Sequence, residues 1–552
     1  MNLTTGSTYL ASGDRPSVDR PWWEDAVVYH VYLRSFRDGD GDGVGDLPGL
    51  RSQLPYLAWL GVDALWLSPF YPSGGADFGY DVTDHCAVDP RMGDLATFDA
   101  LLAEARARGL RVLVDYVPNH TSIEHPWFAD SRTSRQAARR DWYVWADPRR
   151  DGGPPNNWRS VFGGSAWTRD PPTGQYYLHS FLGEQPDLNW RNPEVEAAML
   201  DVLRFWMDRG VDGLRIDAAE HLLADPELRD NPPSETGDPQ AKRLGEYDTQ
   251  RHLHDRGHPD VHALYRRIRR RLDRHPSGPR VALAEIVPEP GVGLAHWASF
   301  YGRALDEIHL PLNLTLPSLP WDAAAFQDTV DAVERAVPAG GWPTIVLGSH
   351  DERRVASRYG PDQARCLLVV LLTLRGTPVL FNGDELALTD SPVPAGEARD
   401  PWGRRQAEFN RDRGRAPMPW TSGDHAGFTA GAQPWLPLPE HAQALSVGVQ
   451  AEDPESTLTL TRRLLALRRD LPVLRRGGYV SVRGPADVLA YERRDDTHRV
   501  RVLANFAQDA RRVALDGAGW ELAVSSSGEA ALDADALALG AHAAAVLVRH
   551  TS

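Results

Sequence analysis

The chain has 552 residues, and its 60 Lys and Arg against 76 Asp and Glu give a formal net charge of −16 at pH 7. This acidic balance argues against a nucleic-acid binder and against docking on anionic lipid, because both normally require a basic surface. The two cysteines, Cys86 and Cys366, are too few for a disulfide framework or a multi-thiolate metal site.

The N-terminal segment does not resemble an export signal. Its opening stretch, MNLTTGSTYLASGDRP, contains no basic start followed by an apolar run. The longest apolar stretch, residues 366–374, ends at Arg375 and is too short to span a bilayer. We therefore expect a soluble, cytoplasmic protein that binds no membrane.

Apolar strand-like runs and helical patterns alternate along the first part of the chain. Residues 98–107 and 194–208, for example, repeat apolar side chains with helical spacing. Alternation of strand and helix predicts parallel strands, and eight of them favour a (β/α)₈ TIM barrel, although a doubly wound sheet has the same pattern. The predicted strands are residues 26–33, 62–68, 111–117, 211–217, 280–286, 307–312, 344–349 and 378–381.

Two stretches interrupt this alternation. Residues 118–190 are rich in Trp, Asp, Gly and Pro without a clean period, which predicts an irregular insertion after the third strand. Residues 385–455 have a similar composition and predict long loops.

From about residue 477 the sequence predicts strands with no helices between them, at residues 479–483, 488–493 and 500–505. This pattern predicts a C-terminal antiparallel β-sandwich. The predicted domains are a barrel of residues 1–117 and 191–475, an inserted domain of residues 118–190, and a C-terminal β domain of residues 476–552.

Acids and histidines stand at the carboxyl ends of four predicted strands. They are His120 after the third strand, Asp217 at the end of the fourth, Glu285 in the fifth, and His350 with Asp351 after the seventh. A single acid in such a place is more often a helix cap or half of an ion pair. Since barrel enzymes gather their catalytic groups at this end of the barrel, three acids together favour a catalytic site.

These residues belong to motifs that resemble glycoside hydrolase family 13, the α-amylase family, and most closely its exo-acting branch of α-glucosidases and oligo-1,6-glucosidases. The motif QPDLN is typical of that branch. The matching motifs are WWEDAVVYHVYLRSF (22–36), DGDGDGVGDLPGL (38–50), GYDVTD (79–84), DYVPNH (115–120), GGSAW (163–167), QPDLNW (185–190), GLRIDAAEH (213–221), the acid at 285, HD (350–351), RGTPVLFNGDELAL (375–388) and APMPW (416–420).

The resemblance implies that Asp217 is the nucleophile and Glu285 the acid that later serves as base. Cleavage of an α-glucoside with retention requires such a pair of carboxyl groups. Arg215, two residues before Asp217 on the same strand face, favours the ionised nucleophile. The apolar neighbours of Glu285 favour its protonated form.

The resemblance also implies a set of sugar-binding residues. Asp351 would bind the 2- and 3-hydroxyls of the glucose, and His120 and His350 would hydrogen-bond the same ring. Each histidine alone is more often structural, but their shared place beside the acids favours ligand binding. Tyr80 and Phe181 match family positions whose aromatic rings pack on the sugar.

Two further positions imply exo action. Asp81 in GYDV and Arg411 in RDRGRAPM match the pair that binds the 4-hydroxyl of the terminal glucose in this branch. A closed end of this kind leaves no room for a longer chain, so single glucose units would be removed. Arg411 is alternatively a solvated loop residue, and Arg415 is a second candidate for its role.

The loop of residues 38–46 alternates Gly with Asp, broken once by a valine. Such a loop is able to direct several oxygens onto one hard cation, with the carbonyl of Val44 as a further ligand. The resemblance implies a structural calcium ion, or magnesium, at this loop; the alternative is a solvated acidic turn. The predicted ligands are Asp38, Asp40, Asp42, Val44 and Asp46.

A few positions depart from the family pattern. Ser349 precedes His350 where Asn is usual, and Ala284 precedes the acid where Gly is usual. His30 and Leu33 stand where Gln and Pro are common. None of these differences removes a catalytic group, so they bear on the rate more than on the reaction.

Ala218, directly after the nucleophile, bears on the linkage that is cleaved. Branch members that prefer α-1,6 bonds tend to have Val at this position, and those that prefer α-1,4 bonds tend to have Ala or Thr. A small side chain leaves open the volume that an α-1,4-linked sugar needs. The sequence therefore predicts a preference for maltose-type substrates; alternatively, Ala218 only packs under the barrel rim.

Three functions fit these observations to different degrees. The first is a retaining exo-acting α-glucosidase with transglucosylation as a side reaction, acting on a small oligosaccharide or glucoside as a monomer or small homo-oligomer. The second is a glucosyl transferase or isomerase of the same family, such as a trehalose synthase or a sucrose-active enzyme. The third is a non-catalytic amylase-like interaction module, which the complete set of acids disfavours.

Overall fold

Parallel strands form the central sheet of the computed structural model, which describes residues 20–234, 244–287, 293–394 and 396–551. Up to residue 381 the strands are β1 (Val28–Val31), β2 (Ala64–Leu67), β3 (Arg111–Tyr116), β4 (Trp145–Ala146), β5 (Trp167–Arg169), β6 (Tyr176–Leu178), β7 (Gly213–Ile216), β8 (Val281–Ile286), β9 (Leu310–Asn313), β10 (Thr344–Val346) and β11 (Thr377–Phe381).

Eight of these strands pair in the order β10-β11-β1-β2-β3-β7-β8-β9, and every pair is parallel. The two end strands lie side by side, since the N–H of Asn313 in β9 donates to Oγ1 of Thr344 in β10 at 3.1 Å. The sheet therefore closes on itself. The predicted (β/α)₈ barrel is confirmed, and the doubly wound alternative is excluded.

Helices surround the barrel and begin and end where the sequence provides caps. Asn192 caps α6 by accepting the N–H of Glu194, and the helix ends at Gly210 with φ of 106°. The helices are α1 (Trp22–Asp25), α2 (Leu47–Ser52), α3 (Leu54–Leu60), α4 (Leu95–Ala107), α5 (Pro126–Ser131), α6 (Pro193–Arg209), α7 (Val261–Asp273), α8 (Leu294–Ser299), α9 (Ala323–Ala336), α10 (Val355–Arg358), α11 (Pro361–Thr373), α12 (Pro401–Arg405), α13 (Val447–Glu452), α14 (Thr457–Asp470) and α15 (Pro472–Arg476).

The segment between β3 and α6 forms a small lobe beside the open end of the barrel. Its strands pair antiparallel in the order β4-β6-β5, and most of the segment is irregular. Close to its start, Asn119, three residues after β3, makes a buried hydrogen bond from its Nδ2 to Asp187 at 2.9 Å. This bond holds the two ends of the segment together next to the site described below.

Two antiparallel sheets follow the barrel. Their strands are β12 (Gly478–Ser481), β13 (Val488–Arg494), β14 (His498–Asn505), β15 (Arg511–Ala514), β16 (Glu521–Ser525), β17 (Ala531–Leu532), β18 (Ala536–Leu539) and β19 (Ala544–His550). One sheet has the order β12-β13-β14-β19-β16 and the other β15-β18-β17. Leu503 and Leu547 of the first pack with Val513 and Leu537 of the second in one buried cluster, so the predicted β-sandwich is confirmed.

The β-sandwich packs directly on the barrel helices. Trp321 stacks on Phe506 at 4.0 Å between ring centroids and donates its indole N–H to the Phe506 carbonyl. Arg493 in β13 is fully buried and donates to the carbonyl of Thr373 at the end of α11. Within the described ranges, none of the helices has the length and apolar content needed to cross a membrane.

Candidate active site

A cavity opens at the carboxyl ends of the barrel strands. The acids predicted from the sequence line it: Asp217 directly follows β7, Glu285 lies in β8, and Asp351 follows β10. His120 and His350 line the same cavity. The structure brings these five residues together because parallel barrel strands all end at one face.

Arg215 in β7 binds three carboxylates at the floor of the cavity. Its Nη1 donates to Asp115 at 2.7 Å and to Asp217 at 2.6 Å, while its Nη2 donates to Glu285. The arginine side chain is almost completely buried. One guanidinium therefore joins the two carboxyl groups that the sequence pairs as nucleophile and acid, and it holds them close to each other.

The electrostatic environment of Asp217 is mixed. Burial raises the pKa of this carboxyl most, Arg215 opposes the rise, and the neighbouring carboxylates, first among them Glu285, add to it. The effect of the arginine was predictable from the sequence, but that of the crowded acids was not. Because the negative charges repel one another, the Asp217–Glu285 pair retains a proton more readily than two separate carboxyls would.

Both predicted histidines are neutral. Burial lowers the pKa of His120 to about 3 and that of His350 well below its usual value. Nε2 of His350 lies 2.9 Å from the hydroxyl of Tyr80, and Nε2 of His120 lies 3.1 Å from Nε2 of Gln185. Neutral imidazoles offer hydrogen bonds to an uncharged sugar without adding positive charge beside the acids.

Arg411 lines the cavity in a network of acids. Its Nη2 is 2.7 Å from both Asp77 and Asp400, and its Nη1 is 3.2 Å from Asp351. The guanidinium is buried. Arg415 is also buried, but it is not one of the residues that line the cavity. It donates to Asp351 at 3.1 Å and to the His350 carbonyl at 2.9 Å.

The structure corrects the prediction for Asp81, because Asp77 is the acid that faces Arg411. The Asp81 carboxylate is buried and accepts hydrogen bonds from the Ser73 hydroxyl at 2.6 Å and from the N–H of Asp77 at 3.0 Å. It thus fixes the loop rather than facing the cavity. Asp77 lines the cavity, and burial, opposed by Arg411, raises its pKa to about 6.

The remaining predicted substrate residues also line the cavity. Tyr80 stacks on His350 with 5.5 Å between ring centroids, and Phe181 lies 5.3 Å from the His120 ring. Ala218 forms part of the wall beside Asp217 and has a left-handed backbone, with φ of 46°. That conformation is costly for a β-branched side chain.

Several cavity residues were not identified from the sequence. Gln185 belongs to the QPDLNW motif, so its position in that motif was an available signal. The nine others include Glu220 and His221, which belong to the motif GLRIDAAEH, and seven residues whose local pattern gave no such signal. The nine are Val161, Phe162, Glu220, His221, Leu244, Tyr247, Arg256, Val287 and Trp402.

The acidic loop after β1 gathers three carboxylates. Oxygens of Asp38, Asp40 and Asp42 lie within 4.8 Å of one another, a spacing that one hard cation fits. Asp46 is used differently: it caps α2 by accepting the Gly49 N–H at 2.6 Å, and burial raises its pKa to about 6. The Val44 side chain is partly buried against the core.

Comparisons with known proteins identify the family of the chain. The family model described as "Alpha amylase, catalytic domain" matches residues 30–477, and the model "Domain of unknown function (DUF3459)" matches residues 475–546. A probable alpha-glucosidase of Rhizobium meliloti is 41% identical over 524 residues, which cover 92% of each chain. An oligo-1,6-glucosidase of Parageobacillus thermoglucosidasius is 33% identical over 529 residues, covering 89% of this chain and 91% of the relative.

Solved structures resemble the whole chain. The alpha-glucosyl transfer enzyme XgtA has a TM-score of 0.90 at 41% identity and is matched over 96% of this chain and 100% of its own. The trehalulose synthase MutB from Pseudomonas mesoacidophila has a TM-score of 0.86 at 34% identity, over 97% and 100%. With its closed barrel and its three acids in one cavity, the chain belongs to the α-amylase family of glycoside hydrolases, in the branch of the α-glucosidases and oligo-1,6-glucosidases.

Proposed function

We propose that the protein is a retaining, exo-acting α-glucosidase that releases α-glucose from the non-reducing end of short α-1,4-glucosides. The observation that carries this proposal is the arrangement of the cavity. Asp217 and Glu285 are bound by one arginine, and the Asp77–Arg411 pair lines the same cavity. Such a site suits attack on the first glycosidic bond of a chain whose terminal glucose is bound by this pair.

In the proposed mechanism, Asp217 attacks the anomeric carbon while Glu285 protonates the glycosidic oxygen. The leaving sugar departs, and glucose stays bound to Asp217 through an ester. Glu285 then takes a proton from water, and the water oxygen displaces Asp217 from the same carbon. Two inversions at one carbon give net retention, so the first product is α-glucose.

Arg215 suits this sequence of steps because it touches both carboxyl groups. Before the attack Asp217 carries the negative charge and Glu285 the proton; in the ester intermediate Asp217 is neutral and Glu285 is ionised. The pair has a total charge of −1 in both states. A guanidinium bonded to both members stabilises that charge on either carboxyl without having to move.

The test of the proposed reaction is the anomer that 4-nitrophenyl α-glucoside yields, because the reducing-end glucose of maltose is already a mixture of both anomers. A proton NMR time course of the first minutes should show α-glucose appearing before mutarotation produces the β-anomer. A retained anomer requires carboxyl groups that cooperate at roughly 5–5.5 Å, whereas inversion uses roughly 6.5–9.5 Å. β-Glucose as the first product would contradict retention.

Glucosyl transfer is a second candidate, supported by one comparison. XgtA, 41% identical and similar along its full length, is described as an alpha-glucosyl transfer enzyme. Hydrolysis and transfer share the ester intermediate and differ in whether water or a sugar hydroxyl attacks it. A proton NMR time course at high maltose concentration distinguishes them, because transfer converts two maltose molecules into one trisaccharide and one glucose, whereas hydrolysis converts each maltose into two glucose molecules.

We further propose that Ala218 sets a preference for α-1,4 over α-1,6 bonds. It forms the wall next to Asp217, where a β-branched side chain would occupy the space of an α-1,4-linked sugar. Ala218→Val should therefore shift the kcat/KM ratio from maltose toward isomaltose by about tenfold or more, since a methyl-scale change in a pocket is worth roughly 1–3 kcal/mol.

Because residue 218 has a positive φ, valine will also lower stability. Lower stability reduces the rates on both substrates together, so the ratio of kcat/KM for maltose and isomaltose on the same protein is unaffected by it. Ala218→Gly is the matched control: it relieves the backbone and leaves the wall open, so its ratio should equal that of the wild type. A wild type that prefers isomaltose, or a ratio unmoved by valine, would refute the assignment.

We also propose that the acidic loop holds a structural calcium ion, or magnesium, on Asp38, Asp40 and Asp42, with the Val44 carbonyl and Asp46 as the further predicted ligands. Hydrogen bonds from Thr429 and from backbone N–H groups lower the pKa of Asp38 although burial opposes them, so it is ionised. The backbone N–H groups of Gly41 and Gly43 donate to it at 2.7 and 2.8 Å. The loop is therefore ordered around this carboxylate, as a cation site requires.

Removing the ion by chelation should lower the melting temperature by about a few degrees, because a ligand that binds the folded state alone stabilises it by mass action. Asp40→Ala should reproduce the shift and abolish its dependence on added calcium. Glu452→Ala, an exposed acid far along the chain, is the control and should keep it. An unchanged melting curve together with no bound metal by elemental analysis would remove the proposal.

A further inference from the structure

Glu220 is a buried acid in the cavity that the proposed reaction does not use. It lies in the turn after β7, three residues beyond Asp217, and is 2% exposed. Its Oε2 accepts the N–H of Val287 at 2.8 Å, and its Oε1 lies 2.5 Å from Nε2 of His296 in α8. The carboxylate therefore links the turn after β7 to the chain directly after β8.

The register of the sheet explains why this link matters for Glu285. The pairing of β7 with β8 ends at Ile216 and Ala284, one residue before Glu285. On the opposite side, β8 stays paired with β9 as far as Ile286. Toward β7, the strand pairing thus stops before the acid, and the Glu220 carboxylate accepts the N–H of Val287 two residues after it.

The charge of Glu220 strengthens this hydrogen bond. Burial alone would raise the pKa of its carboxyl, but Arg256 and His296 lower it, so the group is ionised. Nη1 of Arg256 lies 4.0 Å from Oε2. A hydrogen bond to an ionised acceptor is roughly twice as strong as one between neutral groups.

We propose that Glu220 is a positioning residue: by binding the N–H of Val287, it fixes the end of β8 and aims the carboxyl group of Glu285 at the glycosidic oxygen. The inference rests on the proposed role of Glu285 as proton donor. It assigns no contact between Glu220 and the glucose ring. Small displacements of a proton donor are expensive, because proton transfer requires hydrogen-bond distance to the leaving oxygen.

The test compares two substrates that differ in their need for a proton. The reducing-end glucose of maltose is a poor leaving group unless the glycosidic oxygen is protonated. In contrast, α-glucosyl fluoride releases fluoride without a proton donor. Glu220→Ala should lower kcat on maltose by about tenfold or more and change the single-turnover rate of fluoride release, which ends at the ester and needs neither acid nor base, by less than about threefold. For Glu220→Gln the fall in kcat on maltose should be smaller, because its amide oxygen still accepts the Val287 N–H.

Glu307→Ala is the matched control. Glu307 is also 2% exposed and is paired with His262 and Arg266, but it lies outside the cavity. It should cost similar stability while leaving the ratio of the two substrates at the wild-type value. The inference would be overturned if the rates on maltose and on the fluoride fell by the same factor in both Glu220 variants, or if the rate on maltose did not fall.

A reference variant separates this inference from the proposed reaction. Glu285→Gln should lose activity on maltose and largely keep the fluoride reaction to the ester stage. If the rates of Glu285→Gln on the two substrates fall equally, the assignment of Glu285 as the acid is wrong. If it shows the selective loss and the Glu220 variants do not, the acid assignment stands and the positioning role of Glu220 is refuted.

Discussion

Asp217→Asn and Glu285→Gln should each remove nearly all maltose hydrolysis while leaving the fold intact. General acid catalysis contributes about 10²–10⁴-fold, and each tenfold corresponds to about 1.4 kcal/mol of barrier. Loss of the nucleophile removes the covalent route altogether, so the larger drop is expected for Asp217→Asn. The measurements are kcat on maltose and the circular dichroism melting curve of each variant.

Asp328→Asn is the matched control for these variants, because Asp328 is exposed on α9 outside the cavity. It should keep full activity. A further experiment tests the geometry itself: with Asp217→Ala, added azide should enter the vacated space and form β-glucosyl azide from an α-glucosyl donor. A variant of either acid with near-normal kcat would show that the two roles are misassigned.

Much of the barrel was predictable because its strands are short runs of apolar residues. Each of the eight predicted strands overlaps an observed one, since strands covered on both faces are apolar almost throughout. The clearest shift is at β9, predicted to begin at Glu307 and observed from Leu310. Glu307 instead turns its carboxylate to His262 and Arg266, ion pairs that the local sequence does not indicate.

The C-terminal domain was less predictable in detail. The sequence indicated three strands there, whereas the structure has eight between Gly478 and His550. β19 was missed because it lies between β14 and β16, with its first four residues buried, and therefore does not alternate. β17, Ala531–Leu532, is too short to have a recognisable period.

Among the site residues, strand ends were predictable and loop orientations were not. Asp217 and Glu285 lie in or next to strands, whose direction in a barrel fixes where they face. Asp77 and Asp81 lie four residues apart in a loop. Phe78 and Gly79 between them have positive φ values of 51° and 111°, and such a turn decides which acid faces the cavity.

The cavity wall beside Arg411, whose guanidinium lies over the Phe162 ring at 4.9 Å, depends on contacts between distant segments. Phe162 of the inserted lobe lies 5.5 Å from Trp402 between ring centroids, and both line the cavity. The segments that carry these rings are more than two hundred residues apart in the sequence. A local sequence pattern therefore cannot show that these two rings meet. This part of the cavity wall could be identified only from the structure.

Asp77→Asn is expected to have the second largest effect, a fall in kcat/KM on maltose of roughly 10- to 150-fold. That range corresponds to a hydrogen bond to a charged group, worth about 1.5–3 kcal/mol. The substitution keeps the shape of the side chain but removes the charge that Arg411 faces at 2.7 Å. If the pair binds the 4-hydroxyl of the terminal glucose, the loss appears in substrate recognition and not in protein stability alone.

A maltose analogue that lacks the 4-hydroxyl of its non-reducing glucose isolates this contact. The wild type should discriminate strongly against the analogue, and Asp77→Asn should discriminate far less. The 4-hydroxyl and the Asp77 carboxylate take part in the same interaction, so the free-energy cost of removing both is less than the sum of the two separate costs. Asp81→Asn is the decisive comparison, since the Asp81 carboxylate binds the Ser73 hydroxyl and backbone N–H groups. It should lower the melting temperature and keep wild-type discrimination. The reverse result, with discrimination lost in Asp81→Asn and kept in Asp77→Asn, would restore the assignment suggested by the sequence and show that the loop rearranges when sugar binds.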